Sequence, residues 1–249
     1  MTHPFPDPAT ATPGEPAPQP QPLTPAGVEV PPMAAGVLDR ASRTLHERYP
    51  EVGTLEEVRA LLLDSYATLA RTSRHPEMLP TTAANLAGQR LRARGIAQGS
   101  IESRHPRVLF VCHGNAGRSQ MAASLLENRS AGAVTARSAG TSPAGEVLPH
   151  ALEAMQEIGI PLHNAFPKPV DQDILRAAET VVLFDGAEEQ ELAVPAGVEV
   201  QRWAVPSIRG LSLEQVRGVR DALDLQVRGL IAELGEELVG QPDGPAAQG

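Results

Sequence analysis

Apolar residues recur at three- and four-residue spacing between residues 33 and 98, which predicts a small bundle of three helices. The second helix has the clearest start. There, Thr54 and Glu57 have the spacing of a capping box, in which each side chain satisfies the other residue's free backbone N–H. The predicted helices cover Met33 to Tyr49, Leu55 to about Leu69, and about Thr81 to Arg94.

A different pattern begins near residue 106 and continues to residue 239, where short apolar runs alternate with amphipathic segments. Strands separated by helices imply βαβ crossovers, so we predict an α/β fold with a parallel sheet flanked by helices. Ligands of such sheets bind at the carboxyl ends of the strands. The predicted strands are Val108–Val111, Val134–Ala136, Thr180–Phe184 and Val198–Gln201, and the predicted helices cover residues 119–128, 149–158, 170–178 and 213–238.

Proline is concentrated at the N-terminus, since residues 1–32 hold 11 of the 24 prolines. Such a segment buries too little to offset its ordering entropy, so we predict a disordered tail there and a flexible tail at 240–249. The remaining chain divides into the bundle at 33–98 and the catalytic domain at 106–239. A bundle this small is marginal alone, so we expect docking or self-association, with a plain solubility or stability appendage as the alternative.

The net charge of −9 argues against nucleic acid or an anionic membrane as a general partner. We also expect no membrane anchor or secretion signal, because the chain lacks a long apolar run and a basic, apolar leader. A single cysteine forms no internal disulfide, so a cytoplasmic setting is expected. Four scattered histidines lack the spacing of a metal site, and no metal is expected. They are His105, His113, His150 and His163.

The single cysteine, Cys112, directly follows a predicted strand and opens a seven-residue loop that ends at Arg118. Gly114 and Gly117 permit backbone angles and close approaches that other residues resist, so successive N–H groups can point inward. The helix starting at Ser119 adds the positive end of its dipole, and Arg118 offers a fork for two oxyanion oxygens. The loop residues expected to bind the oxyanion are His113, Gly114, Asn115, Ala116, Gly117 and Arg118.

The same positive field favours the thiolate form of Cys112, which would make it the nucleophile. Ser119 is placed to donate a hydrogen bond to the sulfur, and Asn115 to brace the loop through its amide. The alternative is a buried structural cysteine. Cys-x5-Arg alone is a weak signal, but the strand before it, the helix after it, the glycines and Arg-Ser together favour the catalytic interpretation.

Residues 107 to about 238 resemble the low-molecular-weight protein tyrosine phosphatase superfamily, including its arsenate reductase branch. The segments similar to that branch are Asn115-Ala-Gly-Arg-Ser-Gln-Met-Ala122, Ser138-Ala-Gly-Thr141 and Phe166-Pro-Lys-Pro169. His113-Gly114-Asn115 is more similar to the phosphatase form. The helical region ahead resembles the three-helix dimerisation domain of some actinobacterial arsenate reductases, which implies a homodimer through residues 33–98.

The resemblance also exposes a departure from the family pattern. The family's general acid is an aspartate of an Asp-Pro pair before the last helix, and that pair aligns here with Ser207 and Ile208. Serine cannot deliver a proton at neutral pH, so we expect slow phosphoester hydrolysis. Asp185, after the third strand, is an alternative proton donor, although an aspartate before Gly186 is also typical of a turn.

The resemblance further implies that thioredoxin-linked arsenate reductases use two additional cysteines, which this chain lacks. We therefore expect no tightly bound cofactor and an external low-molecular-weight thiol, such as mycothiol, with a glutaredoxin-like reductant. The leading hypothesis is a thiol-dependent arsenate reductase acting on arsenate or a phosphate-like oxyanion. Two alternatives stay open, namely a tyrosine phosphatase with a substituted acid and a non-catalytic module that binds an oxyanion or phosphotyrosine.

Overall fold

The structure is a computed structural model that describes residues 27–187 and 192–240, with side chains up to residue 235. A short 3-10 turn at Pro76–Met78 precedes the third helix. In chain order the elements are α1 (Pro32–Arg48), α2 (Leu55–Ala70), α3 (Leu79–Ala97), β1 (Arg107–Cys112), α4 (Arg118–Arg129), β2 (Thr135–Gly140), α5 (Pro149–Glu157), α6 (Gln172–Ala177), β3 (Thr180–Phe184), β4 (Glu199–Trp203) and α7 (Leu213–Gly240).

The first three helices begin where local chemistry favours a helix start. The Thr54 backbone N–H donates to Glu57 Oε2 at 2.7 Å, and the Glu57 N–H donates to Thr54 Oγ1 at 3.3 Å, which confirms the capping box of α2. These bonds from Thr54 lower the pKa of Glu57, because they stabilise its carboxylate. The helix α3 begins at Leu79, two residues earlier than predicted, since Pro80 fits the first turn of a helix.

The four strands form one parallel sheet in the order β2-β1-β3-β4, which confirms the predicted α/β fold. β1 lies between β2 and β3, and its last residue, Cys112, pairs with Gly140 of β2. β2 extends beyond the predicted end at Ala136, because Ser138–Gly140 continue the strand in register with Phe110–Cys112. The nucleophile candidate therefore stands at the carboxyl edge of a central strand.

Alternating side chains of β1 face two separate layers of helices. Phe110 and Cys112 belong to a core shared with α4, α5 and α7. Leu109 and Val111 belong to a second core, which is completed by α6 and by the N-terminal helices α1, α2 and α3. The bundle thus covers one face of the sheet, and each face is buried by helices.

Polar contacts also attach the bundle to the catalytic fold. Arg90 of α3 lies 2.7 Å from the carboxylate of Asp171, and Arg94 lies 2.8 Å from that of Asp173, both next to or within α6. These side chains are at most one-third exposed, so the ion pairs are less screened than surface pairs. The bundle is therefore held to the catalytic fold by charge pairing as well as by apolar packing.

The predicted N-terminal tail ends too late in the sequence. Val30 lies within the segment assigned to it, yet this side chain is fully buried in the core that includes the bundle. Packing against this apolar core fixes the residue. Residues 1–26 of that predicted tail lie outside the described residues. Of the second predicted tail, residues 241–249 also lie outside them, and its first residue, Gly240, is the last residue of α7.

An aromatic cluster closes the core behind the carboxyl edge of the sheet. The rings of Phe110, Phe184 and Trp203 lie 5.5–6.3 Å apart between centroids, mostly edge to face. Trp203 is therefore packed in the core rather than lining the mouth of a cleft. Among the described helices, none is long and apolar enough to cross a membrane.

Candidate active site

The loop between β1 and α4 carries the chain's one cysteine. The predicted loop was Cys112 to Arg118; in the structure Cys112 is the last residue of β1 and Arg118 the first of α4, so residues 113–117 form the connection. The first N–H groups of α4 have no partner within the helix and face this loop, together with the positive end of the helix dipole. An anion in the loop is therefore favoured by the backbone alone.

The segment after β2 turns the loop carbonyls outward. The carbonyls of Cys112, His113, Gly114 and Ala116 accept hydrogen bonds from the backbone N–H groups of residues 141, 142, 144 and 148 at 2.8–3.2 Å. In contrast, the N–H groups of residues 114–118 have no acceptor among the described residues. Because buried N–H groups without acceptors are rare in folded proteins, these donors form a cradle suited to an oxyanion.

Asn115 ties the loop together. It is fully buried and has a φ of 46°, a left-handed conformation that asparagine tolerates better than most residues. Its side-chain oxygen accepts hydrogen bonds from the Lys168 backbone N–H at 3.0 Å and from Gln120 Nε2 at 3.1 Å. The Asn115 amide donates to Ser119 Oγ at 2.9 Å. The predicted bracing contact is therefore present, and it extends to the strand-connecting segment around Lys168.

The loop glycines match the prediction only in part, because Gly117 makes a close approach but neither glycine has the left-handed conformation. Asn115, not Gly114 or Gly117, has the left-handed conformation in the loop. Gly117 is required by packing, since an added Cβ would lie 2.8 Å from Ile208 Cγ1, whereas a Cβ at Gly114 would meet only ordinary contacts of 3.7 Å or more. Gly140 of β2 is also required, because a Cβ there would approach the carbonyl oxygen of His113 to 2.7 Å.

Cys112 and Ser119 are within hydrogen-bonding distance, with 3.0 Å between Sγ and Oγ, and both are buried. The Ser119 oxygen already accepts a hydrogen bond from Asn115. Its own proton is therefore free to point at the sulfur, which stabilises a thiolate and a departing thiolate alike. This is the geometry required of a nucleophile and its supporting donor.

Arg118 is buried beneath the loop with its guanidinium 5.5 Å from the centre of the Phe184 ring. Its terminal nitrogens donate to the Val205 carbonyl at 2.8 Å and to the Asp185 carbonyl at 3.1 Å. Two of its five N–H donors are used in this way, so three remain for an oxyanion. The fork is thus held in place by the backbone of two neighbouring segments.

No hydrogen bond joins the loop to the side chain of Asp185, the proposed proton donor, or to that of Ser207, which stands at the family's acid position. Asp185 is exposed, and only its backbone carbonyl bonds to Arg118. Ser207 is also exposed, and its hydroxyl accepts from the Arg209 backbone N–H at 3.4 Å. Both residues lie on segments that contact the loop or Arg118 through carbonyls or side chains. Each is therefore close to the loop, but neither places an acidic group on it through a hydrogen bond.

Two polar residues of the site carried no role in the sequence interpretation, although both lie in the quoted motifs. Gln120 Nε2 donates to the Phe166 carbonyl at 2.8 Å, which connects α4 to the segment before α6. Lys168, the chain's only lysine, is buried, with Nζ 3.4 Å from Ser138 Oγ and 4.5 Å from the centre of the Phe166 ring. Burial, with Arg137 nearby, lowers the pKa of Lys168 to about 7.

The predicted histidines are dispersed. His113 is exposed at the start of the loop, with Nδ1 3.4 Å from Thr141 Oγ1, while His105 and His150 contact the carbonyls of Ala133 and Leu211. The described part of the chain contains no group of three or more His, Cys, Asp or Glu residues that could hold a metal.

A cavity of about 560 Å³ lies between the bundle and the catalytic fold, away from the nucleophile. Leu69 and Met78 line it from the N-terminal side, and Leu162 and His163 from the other side. It reaches Gly145–Val147, part of the segment that holds the loop carbonyls, but none of residues 112–118 lines it. This cavity is therefore separate from the oxyanion loop.

Comparison with known proteins assigns both parts of the chain. The sequence profile of the low molecular weight phosphotyrosine protein phosphatases matches residues 107–239. The chain belongs to this family. A second profile, described as the N-terminal domain of protein-tyrosine-phosphatase-like proteins, matches residues 38–95. These two profiles and the relatives described below confirm the predicted family and its arsenate reductase branch. They also confirm that the chain is a cysteine-dependent enzyme.

Arsenate reductases are prominent among the relatives of this family member. The thioredoxin-dependent arsenate reductase of Corynebacterium glutamicum is 32% identical, with a TM-score of 0.71 over 81% of this chain and 98% of that one. An arsenate reductase of Staphylococcus aureus is 31% identical over 48% of this chain and 92% of its own length. The arginine phosphatase YwlE of Geobacillus stearothermophilus is 27% identical, with a TM-score of 0.51 over 56% of this chain and 99% of that one.

Proposed function

We propose that this chain reduces arsenate with Cys112 as the only thiol it contributes, and that an external low-molecular-weight thiol and a glutaredoxin-like reductant complete the reaction. The coarser statement, a cysteine-dependent arsenate reductase or low-molecular-weight-phosphatase-like enzyme, rests on the relatives. The finer proposal is carried by one observation, that the oxyanion loop contains the chain's single cysteine. It is supported by the family resemblance, which places Ser207 at the position of the general acid.

The first step uses only residues of the loop. The Cys112 thiolate attacks As(V), an S–As bond forms, and an As–O bond breaks with release of hydroxide or water. The free N–H groups of the loop and the Arg118 guanidinium hold the remaining oxygens and stabilise their charge. Ser119 supports the sulfur before attack and again when it departs.

The second step requires a thiol from outside the chain. An external thiolate attacks arsenic and displaces Cys112, which leaves arsenic as an As(V) thioester of the small thiol. A second thiol then attacks the sulfur of that adduct. A disulfide forms, and two electrons pass to arsenic, which is released as arsenite. We propose a mycothiol-like compound as the first thiol and a glutaredoxin-like protein as the second.

The substituted acid supports arsenate over a phosphoester. An alkoxide or phenoxide leaving group needs a proton, and a positioned acid is typically worth about 10² to 10⁴-fold in rate. Ser207 cannot provide that proton. Arsenate expels hydroxide or water from a more labile centre and depends less on the acid.

A phosphatase with a substituted acid is the second candidate function. It is favoured by the position of Asp185, whose exposed carboxyl group follows β3 directly and whose carbonyl contacts Arg118. Asp185→Asn distinguishes this role. If Asp185 is the acid, the variant loses aryl phosphate hydrolysis by about 10²-fold, whereas a turn residue leaves the rate within a few-fold of wild type.

We also propose that the chain forms a homodimer through residues 33–98. Because the inner face of the bundle packs on the sheet, the interface must use its outer surface, where Met33 is 88% exposed. Sedimentation of the full chain tests this proposal. Twice the chain mass of 26.3 kDa supports it, and a single chain mass at micromolar concentration refutes it.

One set of assays tests the proposed activity. The purified chain and Cys112→Ser are incubated with arsenate, mycothiol and a glutaredoxin-like reductant, and separately with an aryl phosphate. Arsenite that requires both Cys112 and the small thiol supports the proposal. Dephosphorylation without arsenite release would replace it with the phosphatase.

A further inference from the structure

The segment between β4 and α7 lies across the oxyanion loop and is fixed at two points. Arg118 Nη1 donates to the Val205 carbonyl at 2.8 Å. Three residues later, Ile208 is 4% exposed, and its side chain packs against Gly117 so closely that only glycine fits there. Arg209 follows Ile208 directly, so its backbone is held at the edge of the loop although its side chain is exposed.

The Arg209 guanidinium reaches back towards the loop. Its Nη2 lies 3.7 Å from the point where a Cβ on Gly114 would stand. No hydrogen bond or ion pair joins the Arg209 side chain to any residue that the structure describes. Gly114 itself carries one of the backbone N–H groups without an acceptor. An unpaired cation therefore adjoins unpaired donors, which concentrates positive potential at the entrance of the loop.

We propose that Arg209 is a second anion-binding residue of this site, which selects small, doubly charged oxyanions over esters with neutral or cationic leaving groups. This inference rests on the proposed function for the identity of the substrate. Arg118 holds the oxyanion from inside the fold, and Arg209 faces the oxygen that points away from the Cys112 sulfur.

The selection follows from what that outward oxygen carries. In a phosphoester it bears the leaving group and little charge, so Arg209 adds little attraction, and a cationic leaving group is repelled. In inorganic arsenate it is the departing oxygen: the S–As bond forms, the As–O bond breaks, and the oxygen leaves as hydroxide, which a buffer acid in the solvent then protonates. Arg209 offsets the negative charge of that hydroxide, where the family acid would supply a proton.

Alkylation of Cys112 tests the proposal without any turnover, because the chain has no other cysteine. The rates with anionic iodoacetate and neutral iodoacetamide are compared at low salt for wild type, Arg209→Ala, Arg209→Lys and Arg209→Glu. The matched control is Arg40→Ala on α1, which removes the same charge from an exposed side chain.

Arg209→Ala should lower the iodoacetate-to-iodoacetamide rate ratio by about three- to tenfold, the range expected for an exposed, charge-assisted contact. Protection by inorganic phosphate should weaken by a similar factor. Arg209→Lys should retain most of the ratio, Arg209→Glu should lower it further, and Arg40→Ala should change it by less than about 1.5-fold. If Arg209→Ala behaves like Arg40→Ala, the proposal is overturned.

Steady-state assays test the selectivity separately. The ratio of kcat/KM for arsenate to that for an aryl phosphate should fall about fivefold or more in Arg209→Ala. An unchanged ratio would refute the selective role. If the wild type releases arsenite but the alkylation ratio of Arg209→Ala is unchanged, the role of Arg209 is refuted and the proposed reductase activity is not. A lowered alkylation ratio without any arsenite release would refute the reductase and retain Arg209 as an anion-binding residue.

Discussion

Replacing Asn115 by alanine removes the side chain that joins the oxyanion loop to its surroundings. Asn115 donates to Ser119 Oγ at 2.9 Å and accepts from the backbone N–H of Lys168 at 3.0 Å. It also accepts from Gln120, which keeps a second acceptor in the Phe166 carbonyl. The substitution therefore breaks several hydrogen bonds but leaves mainly one buried donor, the Lys168 N–H, without a partner.

The cost follows from these contacts and from the backbone. An unsatisfied buried donor costs about 1–3 kcal/mol, and each neutral hydrogen bond lost costs about 1 kcal/mol. Alanine at a φ of 46° adds about 1 kcal/mol, because its Cβ is strained in the left-handed region. We expect Asn115→Ala to lower the free energy of unfolding by about 3–5 kcal/mol, a large part of the stability of a typical domain. Asn115→Gly breaks the same bonds without that strain and should lose about 1 kcal/mol less.

Urea unfolding followed by Trp203 fluorescence measures this difference, since Trp203 is the only tryptophan and is buried in the catalytic core. Circular dichroism on the same samples checks that a single transition is followed. A loss below about 1 kcal/mol in Asn115→Ala would refute the bracing role. Equal losses in the alanine and glycine variants would refute the assignment of strain to the left-handed residue.

Three further substitutions give separate readouts. Gly140→Ala places a Cβ 2.7 Å from the His113 carbonyl and 2.9 Å from the Asn115 backbone nitrogen, so iodoacetamide alkylation of the cysteine should slow at least about fivefold. An unchanged rate would show that the strand can shift. Ser207→Asp should raise aryl phosphate hydrolysis about 10- to 100-fold by restoring an acid, and no gain would show that this position does not reach the leaving group. Burial lowers the pKa of Lys168 to about 7 from an ordinary 10.5. Between these two pH values the unfolded chain binds one more proton than the folded chain, so the free energy of unfolding of the wild type rises with pH. Lys168→Met should remove up to about 1.4 kcal/mol per pH unit from that slope in urea titrations at pH 7–9, and equal slopes would contradict the pKa shift.

Local signals were sufficient to predict the parts of the fold and site that depend on neighbouring residues. The start of α2 is set by Thr54 and Glu57, three residues apart, and the structure contains both reciprocal hydrogen bonds. The oxyanion loop is similarly local, because a buried strand, seven residues and a helix start define it. Even there the left-handed position fell on Asn115 rather than on a glycine, since asparagine's side-chain bonds stabilise that conformation.

Features that depend on distant residues were not predictable from the pattern. The bundle was expected to dock or self-associate, but periodicity shows only which face of a helix is apolar and not which surface covers that face. The outward bonding of the loop carbonyls depends on backbone N–H groups of residues 141–148, which leave no mark on side-chain type. Arg209 is adjacent to the loop because Arg118 bonds to the Val205 carbonyl, 87 residues away in sequence, and because Ile208 packs on Gly117.

The central claim is that arsenate reduction requires Cys112 as this chain's only thiol, together with a small external thiol that displaces it. Its most direct test is arsenite release by the purified chain with arsenate, a mycothiol-like thiol and a glutaredoxin-like reductant, with Cys112→Ser as the control. We predict arsenite from wild type only when the small thiol is present, and none from Cys112→Ser. Arsenite release with thioredoxin alone, or release that survives in Cys112→Ser, would contradict the account.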